Sequence, residues 1–367
     1  MKPFLQLLAA LALIISLAAC GGGDRPTTGT SAGGGIQAGP GPINQSAGNT
    51  VKLMTWRYLP QDAQIIRDFE TKFGVRVEVN VRSMADIIAD AVAKKEIDAD
   101  VLIVPTLEDA ARLKGFGALQ PFFVDAFTNG NVGDRYLDNE GYWAGLTRWT
   151  MVSVYNPNAV TSEEASTYKG ILKATTRNIR LGVAHPDSSG LAGVVAGLYL
   201  NLNPGAAQLW TKTIYERSSG GLQGSDIDQM NRLLAGQIDM AFVSLGSAVR
   251  WFLNGNPRHF AAAEAWRVRF PHTEATDINF FNMTCVTMPA NSPNRQLGSR
   301  LINYLYDKPV QETLTSAWFE FPCEAFAEAE AYLYGFPDNI GNKVSGEDID
   351  KNLGNAWAII NEVAAGQ

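Results

Sequence analysis

The chain has 367 residues, a formal net charge of −7, 46% hydrophobic residues and only 18% charged residues. The acidic balance argues against nucleic acid as a partner, because binding to a phosphate backbone requires a basic surface. The part from about residue 50 onward is longer than one usual domain and indicates two.

The N-terminus has the pattern of a secretory signal. Lys2 provides a short basic region, and the apolar stretch 4–17 is too short to span a bilayer. The sequence Leu-Ala-Ala-Cys at 17–20 resembles a bacterial lipobox, which implies cleavage before Cys20 and a diacylglycerol on its thiol. We therefore predict a signal peptide over residues 1–19 and a lipidated Cys20. A plain signal peptide that ends near a cysteine is the alternative.

Residues 20–50 are predicted to form a flexible tether. The stretch is rich in Gly, Ser, Pro and Thr and has too few apolar residues to bury a core. No later segment is long and apolar enough to span a bilayer. These features place the globular body in the cell envelope, on the periplasmic or extracellular face, anchored to the lipid bilayer through several acyl chains on Cys20.

The first part of the globular body alternates between strands and helices. The strands are predicted over 51–56, 75–81 and 99–104, and the helices over about 60–73, 84–95 (with Ser83 as the N-cap) and 107–114. This βαβαβα order predicts a parallel sheet with right-handed crossovers.

The stretch from Trp143 to Pro157 reads as one long strand, because it is rich in β-formers and ends in an Asn-Pro turn. Units of α/β pattern lie on both sides of it, so it is a candidate hinge with Arg148 and Trp149 at the floor of a cleft. The alternative is an ordinary buried strand with one arginine that reaches solvent.

Two cysteines remain once Cys20 is assigned to the lipid. In an oxidising compartment the pair favours one disulfide, Cys285–Cys323. Two buried free thiols are the alternative. Neither cysteine has a CxxC neighbour or a nearby histidine, so we predict no metal site and no redox site there.

An ordered set of segments carries a family resemblance. The segments are VKLMTW (51–56), DADVLIVPT (98–106), YWAGLT (142–147), GVAHPDSSG (182–190), LLAGQIDMAFV (233–243) and MPANSP (288–293). Together they resemble the extracellular solute-binding proteins of ABC importers, and within these the branch that binds ferric iron, thiamine or polyamines. The resemblance covers nearly all of residues 51–326.

The resemblance implies a periplasmic-binding-protein-like fold of type II, in which two α/β lobes joined by crossing strands close on a ligand. Lobe 1 would comprise 51–147, completed by about 284–320, and lobe 2 would comprise 148–283. A C-terminal helical segment would follow over 321–367. The strands at 143–157 and about 278–288 would form the hinge. The implied partners are a small solute and an ABC permease, and we expect a monomer without a cofactor.

Ligands of open α/β sheets bind beyond the carboxyl ends of the strands, and this rule nominates the site residues. The candidates at strand ends, at the hinge and on the return strand are Trp56, Arg57, Tyr58, Arg82, Ser83, Thr106, Arg148, Trp149, Asp187, Ser188, Ser189, Gly190, Ser244, Ser247 and Asn282.

Two features within this set favour an anionic ligand. The Ser188-Ser189-Gly190 turn precedes a predicted helix, where free N–H groups and the helix dipole attract an anion; a simple Ser N-cap is the alternative. Arg57, Arg82 and Arg148 add guanidinium groups, which bind carboxylates and phosphates in a bidentate manner. We therefore expect an organophosphate, a phosphonate or a carboxylate.

The other ligands of the family are alternatives against which particular residues argue. Ferric-binding members carry a paired tyrosine where this chain has Gly246-Ser247, and polyamine-binding members place an aspartate where it has Thr284. Trp56 and Tyr58 resemble the aromatic wall of a polyamine site, but Arg57 beside them would repel a polycation.

Enzyme and sensor functions are the remaining classes. The only histidines are His185, His259 and His272, and no nucleophile, paired-carboxylate or HExxH motif is present. We therefore predict that the protein is not an enzyme. A ligand-sensing surface lipoprotein without a transport role is the alternative, and neighbouring genes for a permease and an ATPase would distinguish the two.

Overall fold

The computed structural model describes residues 48–274, 277–333 and 344–366. The predicted signal peptide, Cys20 and nearly all of the tether lie outside the described residues. From Asn49 onward the chain forms one compact unit. The boundaries of the two lobes therefore stay predictions, and the terms lobe 1 and lobe 2 are used below in the predicted sense.

Ten strands form the sheet of the described chain. They are β1 (Thr50–Thr55), β2 (Arg76–Val81), β3 (Val101–Val104), β4 (Leu119–Gln120), β5 (Trp143–Tyr155), β6 (Leu181–Val183), β7 (Met240–Ser244), β8 (Arg267–Arg269), β9 (Phe281–Pro289) and β10 (Phe321–Pro322). The main order is β2-β1-β3-β9-β5-β7-β6. The pairs β1–β2, β1–β3 and β6–β7 are parallel, as the βα pattern predicts. The pairs that involve β5 and β9 are antiparallel.

The helices pack against this sheet. They are α1 (Pro60–Phe73), α2 (Met84–Val92), α3 (Leu107–Gly115), α4 (Asp125–Thr128), α5 (Ser162–Ser166), α6 (Tyr168–Thr176), α7 (Leu191–Asn201), α8 (Pro204–Arg217), α9 (Asp226–Leu234), α10 (Leu245–Phe252), α11 (Pro257–Ala265), α12 (Arg295–Leu305), α13 (Lys308–Trp318) and α14 (Gly346–Ala365). Ser83 caps α2 as predicted, because its side chain accepts a hydrogen bond from the Asp86 amide. This helix ends earlier than expected, since Lys94 adopts a left-handed conformation.

Strand β5 links the two halves of the sheet. Its first part, Trp143–Thr150, pairs with β9, and its second part, Met151–Tyr155, pairs with β7. A bulge between Gly145 and Thr147 shifts the register within the first part. The predicted long strand is confirmed, and its place between the two halves of the sheet suits the hinge role.

The apolar residues of β5 divide between two hydrophobic clusters. Ala144 and Leu146 belong to the cluster that lies on β1, α1, α12 and α13. Val152 and Val154 belong to a larger cluster that is built mainly on α6–α11 and α14 and extends to α2 and α3. The strand is therefore fixed by burial at both of its ends.

The predicted disulfide is not formed in this structure, where Cys285 and Cys323 are both buried free thiols. The thiol of Cys285 lies 3.7 Å from the carbonyl oxygen of Met283, to which it donates. A Cβ on Gly145, the partner of Cys285 across the β5–β9 ladder, would lie 2.5 Å from the Met283 sulfur and 3.2 Å from the Cys323 sulfur. Burial raises the pKa of both thiols well above the ordinary value, so they stay neutral.

The C-terminal segment ends in the long helix α14, which packs against α7 and α8 and also touches α3. The indole N–H of Trp143 donates to Asp350 on this helix at 3.0 Å, which ties α14 to the start of β5. Within the described ranges, none of the helices combines the length and the apolar character that crossing a membrane requires.

Candidate functional site

The carboxyl end of β1 leads into an arginine that lies between two tryptophans and is largely buried, at 15% side-chain exposure. The guanidinium carbon of Arg57 lies 4.8 Å from the ring centroids of both Trp56 and Trp318. Its nearest carboxylate oxygen belongs to Glu320, at 3.6 Å, which is an ion pair too long for a hydrogen bond. Within the described chain the Nε and Nη2 atoms of Arg57 have no hydrogen-bond partner. This cation therefore keeps free donors in a site from which water is largely excluded.

Glu320 is held in place by the two hinge strands. Its Oε2 atom accepts hydrogen bonds from the hydroxyls of Thr147 on β5, at 2.5 Å, and Thr284 on β9, at 2.8 Å. The residue follows Phe319, whose left-handed conformation ends α13 and turns the chain towards β10. The carboxylate of this site thus comes from Glu320, and Thr284 positions it.

A second buried cation, Arg250 on α10, approaches from lobe 2. Its Nη1 atom donates to the carbonyl of Trp318 at 2.5 Å, and its Nη2 atom donates to the Ser247 hydroxyl at 3.3 Å. Burial, and then the charge of Arg57, lower the pKa of Arg250 to about 10. Arg250 therefore stays protonated at neutral pH. Burial also lowers the pKa of Arg57, but a guanidinium group is not deprotonated in proteins, so both cations contact the same tryptophan.

Two serine hydroxyls and the carboxylate of Asp226 lie next to Arg250. The Ser244 hydroxyl at the end of β7 donates to Asp226 at 2.6 Å and lies 2.8 Å from the Ser247 hydroxyl. Burial raises the pKa of Asp226, whose Oδ1 atom has no hydrogen-bond partner among the residues described. We refer to Trp56, Arg57, Asp226, Ser247, Arg250, Trp318 and Glu320 as the two-arginine cluster.

The structure brings only part of the predicted set into this cluster. Trp56, Arg57, Ser244 and Ser247 belong to it or border it, whereas Tyr58, at 37% exposure, lies at its outer side. Sequence reasoning missed Asp226, Arg250, Trp318 and Glu320. A signal existed for Arg250, because Ser247 and Arg250 are three residues apart on a helix that directly follows a strand, so they share one face.

Two of the predicted arginines lie elsewhere. Arg82 forms an ion pair with Asp90 at 2.8 Å, close to the Ser83 cap of α2. The guanidinium carbon of Arg148 lies 5.1 Å from the ring centroid of Phe321, and its Nε and Nη1 atoms also have no hydrogen-bond partner among the described residues. Successive residues of a strand point to opposite faces, so Arg148 and Trp149 do not share a surface. Of the three predicted arginines, only Arg57 lies in the two-arginine cluster; Arg82 follows β2 and Arg148 lies on β5.

The predicted anion turn at 188–190 has internal partners. The Ser188 hydroxyl is 2.7 Å from the carbonyl of Gly224, and Asp187 pairs with Arg112 at 3.1 Å. Ser189 is buried, and a Cβ on Gly190 would lie 2.7 Å from the ring of Trp149. These residues pack the start of α7 against the hinge.

Thr106 and Asn282 both lie at the start of α3. Thr106 caps α3, because its hydroxyl oxygen accepts from the Asp109 amide at 3.0 Å. The carbonyl oxygen of the Asn282 side chain accepts from the Leu107 amide at 3.0 Å. Asn282 therefore joins α3 to the return strand β9, whereas Thr106 is occupied in capping α3.

The side chains that commonly bind metal ions are dispersed in the described part of the chain. Within the described residues, no group of three or more His, Cys, Asp and Glu side chains could hold a metal ion. Gly246 stands where a paired tyrosine would begin, and a Cβ there would lie 2.7 Å from the carbonyl oxygen of Trp318. The start of α10 is thus packed too closely against α13 to admit a larger side chain without rearrangement.

A family model for bacterial extracellular solute-binding proteins matches residues 64–331. The chain belongs to this family. This solute-binding protein is similar to iron uptake protein A1 of Synechocystis sp., with 23% identity over 330 residues that cover 89% of this chain and 91% of the relative.

Solved structures agree on the fold of the solute-binding protein. The ferric binding protein of Campylobacter jejuni has a TM-score of 0.76 and 19% identity, and the match covers 85% of this chain and 99% of that one. The periplasmic binding protein AfuA of Actinobacillus pleuropneumoniae, with fructose-6-phosphate bound, has a TM-score of 0.67 and 13% identity, with coverage of 86% and 98%.

The fold class is thereby confirmed as mixed α/β of the type II periplasmic-binding-protein kind. The solute-binding proteins of this family capture small solutes in the periplasm or outside the cell and deliver them to ABC permeases. They are binding proteins and not enzymes, as the sequence predicts.

Proposed function

We propose that this solute-binding protein captures a small anionic solute, an organophosphate, a phosphonate or a carboxylate, between its two lobes. The observation that carries the proposal is the buried guanidinium of Arg57, whose Nε and Nη2 donors are without partners among the described residues. Unpaired buried donors on a cation cost free energy, which an anionic ligand with two acceptor oxygens would recover.

The charges of the two-arginine cluster support an anion over a cation. Arg57 and Arg250 are both protonated, whereas burial raises the pKa of Asp226 and so disfavours its charged form. Asp62, which accepts from the indole N–H of Trp318 and also interacts with Arg57, has its pKa raised by burial as well. Glu320 then compensates only part of the positive charge. The hydroxyl of Ser247 adds a neutral hydrogen-bonding group next to Arg250. A polycation would meet two guanidinium groups in a site of low dielectric, which is strongly unfavourable.

Ferric iron is the second candidate, because relatives are named for it. Against it stand Gly246 and Ser247, which offer no phenolate, and the close packing of Gly246 against α13. The AfuA structure, in contrast, holds a sugar phosphate on the same fold. The chemistry of the cluster in this chain favours the phosphate or carboxylate class.

Delivery of the solute involves the hinge and the lipid anchor. In this proposal β5 and β9 bend when the lobes close on the ligand, and the closed monomer docks on the permease while Cys20 holds it at the membrane. Anchoring is tested by labelling cells with a radioactive fatty acid. The wild-type chain should carry the label and stay with membranes, whereas Cys20→Ser should be unlabelled; a labelled Cys20→Ser variant would remove the assignment.

The ligand class is tested by thermal shift and titration calorimetry on the chain without residues 1–19, with Cys20→Ser. The ligand panel contains phosphate esters, phosphonates, di- and tricarboxylates, ferric citrate and spermidine. At least one anion should raise the melting temperature, and Arg57→Gln should abolish that shift. Arg76→Gln is the matched control, because Arg76 is exposed on β2 far from the cluster. If only ferric ion or spermidine binds, the anion proposal is wrong.

A further inference from the structure

The carboxylate of Glu108 lies at the N-terminus of a helix that belongs to the other lobe. Glu108 is in the first turn of α3 and is only 3% exposed. Its Oε1 atom accepts a hydrogen bond of 2.6 Å from the backbone N–H of Gly193. Its Oε2 atom accepts a bond of 2.7 Å from the Asn282 amide. One side chain of lobe 1 thus contacts both α7 of lobe 2 and the hinge strand β9.

The orientation of the Asn282 amide is fixed by its own contacts. Its carbonyl oxygen accepts from the backbone amide of Leu107 at 3.0 Å, so its NH₂ group has to face Glu108. Both oxygens of Glu108 therefore act as acceptors. Burial raises the pKa of Glu108, whereas the hydrogen bonds from Asn282 and Gly193 act in the opposite direction. Two donors, one on each oxygen, are the contacts that suit an ionised carboxylate best.

The N-terminus of α7 has free backbone N–H groups that can bind a negatively charged group. Gly193 is the third residue of the helix, and the N–H groups of the first turn have no partners within the helix itself. The N-cap residue is Gly190, which has no side chain to cap them. An anion at this end is also stabilised by the helix dipole.

The glycines at this end leave the room that Glu108 and Asn282 need. A Cβ on Gly193 would lie 2.9 Å from Oε1 of Glu108 and 3.1 Å from the Asn282 amide nitrogen. A Cβ on Gly190 would lie 3.0 Å from the same nitrogen. The buried hydroxyl of Ser189, which has no hydrogen-bond partner within the described part of the chain, adds a further polar group beside this position.

We propose that Glu108 is the built-in anion of the α7 N-terminus and that it excludes phosphate-sized and carboxylate ligands from this part of the cleft. The second half of the statement rests on the proposed function. A second anion beside Glu108 would place two negative charges within a few ångströms of each other in a buried site. The charged group of the solute is therefore confined to the two-arginine cluster.

Chemical rescue tests the first half directly. The full chain, purified in a mild detergent, is compared as wild type and as Glu108→Ala, which vacates the position of the carboxylate. Formate or acetate at millimolar concentration should raise the melting temperature of Glu108→Ala by several degrees more than that of the wild type. Glu140→Ala removes an exposed carboxylate, at 69% side-chain exposure, and serves as the control that should not respond.

Four further outcomes test the proposal. Glu108→Gln, which fills the same volume without a charge, should show no rescue, because there is no space for the added anion. Inorganic phosphate should bind Glu108→Ala and not the wild type at α7. Equal responses of Glu108→Ala and the wild type to formate would overturn the proposal, whatever the solute panel shows. If rescue succeeds and no solute binds, Glu108 keeps its role and the proposed function fails.

A measurement on the unmodified chain covers the case in which Glu108→Ala does not fold. The carboxyl carbon of Glu108 is observed by NMR in ¹³C-labelled wild-type protein and assigned through its contact with the Gly193 amide. Its chemical shift at pH 7 should be that of an ionised carboxylate. A protonated Glu108 at pH 7 would contradict the proposal.

Discussion

The two-arginine cluster and the N-terminus of α7 both attract negative charge, but they treat it in opposite ways. At α7 the chain supplies Glu108, and both of its oxygens are hydrogen bonded. At the cluster, Glu320 lies 3.6 Å from Arg57, and two donors of that arginine stay unpaired among the described residues. The satisfied carboxylate of Glu108 needs no ligand, whereas the free donors of Arg57 lie beside a second cation, where an anion would supply the missing acceptors. An unpaired buried atom alone, such as the Ser189 hydroxyl, does not define a ligand site.

The largest effect should come from removing Glu320. Glu320→Ala leaves Arg57 and Arg250 buried without this carboxylate and deprives two threonine hydroxyls of their acceptor. Breaking a buried ion pair in this way typically lowers the free energy of unfolding by about 3–5 kcal/mol. Urea denaturation would measure the loss. Glu312→Ala, which removes a partly exposed carboxylate of α13, is the control; equal losses would mean that the cluster is not held by Glu320.

The second largest effect should be a dependence of stability on pH that comes from Asp109, close to the start of α7. Burial raises the pKa of Asp109, the neighbour of Glu108, from 3.8 to about 7. The folded state therefore favours the protonated form. The contribution of Asp109 to the free energy of unfolding is complete below pH 3.8 and is lost as the pH rises towards 7. A shift of about 3 pKa units corresponds to roughly 4 kcal/mol as an upper bound.

Unfolding free energies measured between pH 4 and 8 test this expectation. The wild type should lose stability relative to Asp109→Asn as the pH rises through this range, because the amide does not ionise. In Glu108→Gln the loss should be smaller, since the charge of Glu108 contributes to the raised pKa of Asp109. Parallel pH profiles for the wild type and Asp109→Asn would show that Asp109 is ionised throughout.

Much of this architecture can be predicted from local sequence patterns. The run of β-formers predicts β5, and the alternation of strands and helices predicts the parallel pairs of lobe 1. The Ser83 cap of α2 is also predicted correctly. These features depend on neighbouring residues, whose preferences for a helix, a strand or a cap act over a few positions.

The composition of the site is less predictable, because it depends on contacts between distant parts of the chain. Thr147 and Glu320 are 173 positions apart, and Glu108 and Asn282 are 174 positions apart. The strand-end rule identifies Arg57 and Ser247, but it cannot show that Glu108 fills the anion position at α7. The count of cysteines likewise predicts a disulfide for Cys285 and Cys323 without reference to their geometry.

A moderate effect should follow from exchanging the cation of the cluster. Arg57→Lys keeps the positive charge but loses the planar pair of donors and the stacking between two indole rings. We expect the affinity for the anionic solute to fall at least about tenfold, or about 1.4 kcal/mol. Calorimetry with the solute that emerges from the panel would measure it. Unchanged affinity would mean that the ligand does not use the bidentate geometry of Arg57.

The smallest effect should come from Arg82, which the sequence places with Arg57 and which the structure separates from it. Its guanidinium already pairs with Asp90 at 2.8 Å, and both side chains are partly open to solvent. Solvent and salt screen such a pair, so Arg82→Gln should change neither the melting temperature nor the solute affinity measurably. Arg82→Gln and Arg57→Gln make the same chemical change at two places, so the comparison shows whether the location of the arginine matters for solute binding. A loss of affinity in Arg82→Gln as large as that in Arg57→Gln would bring Arg82 back into the ligand site and would contradict the two-arginine cluster as the place where the anion binds.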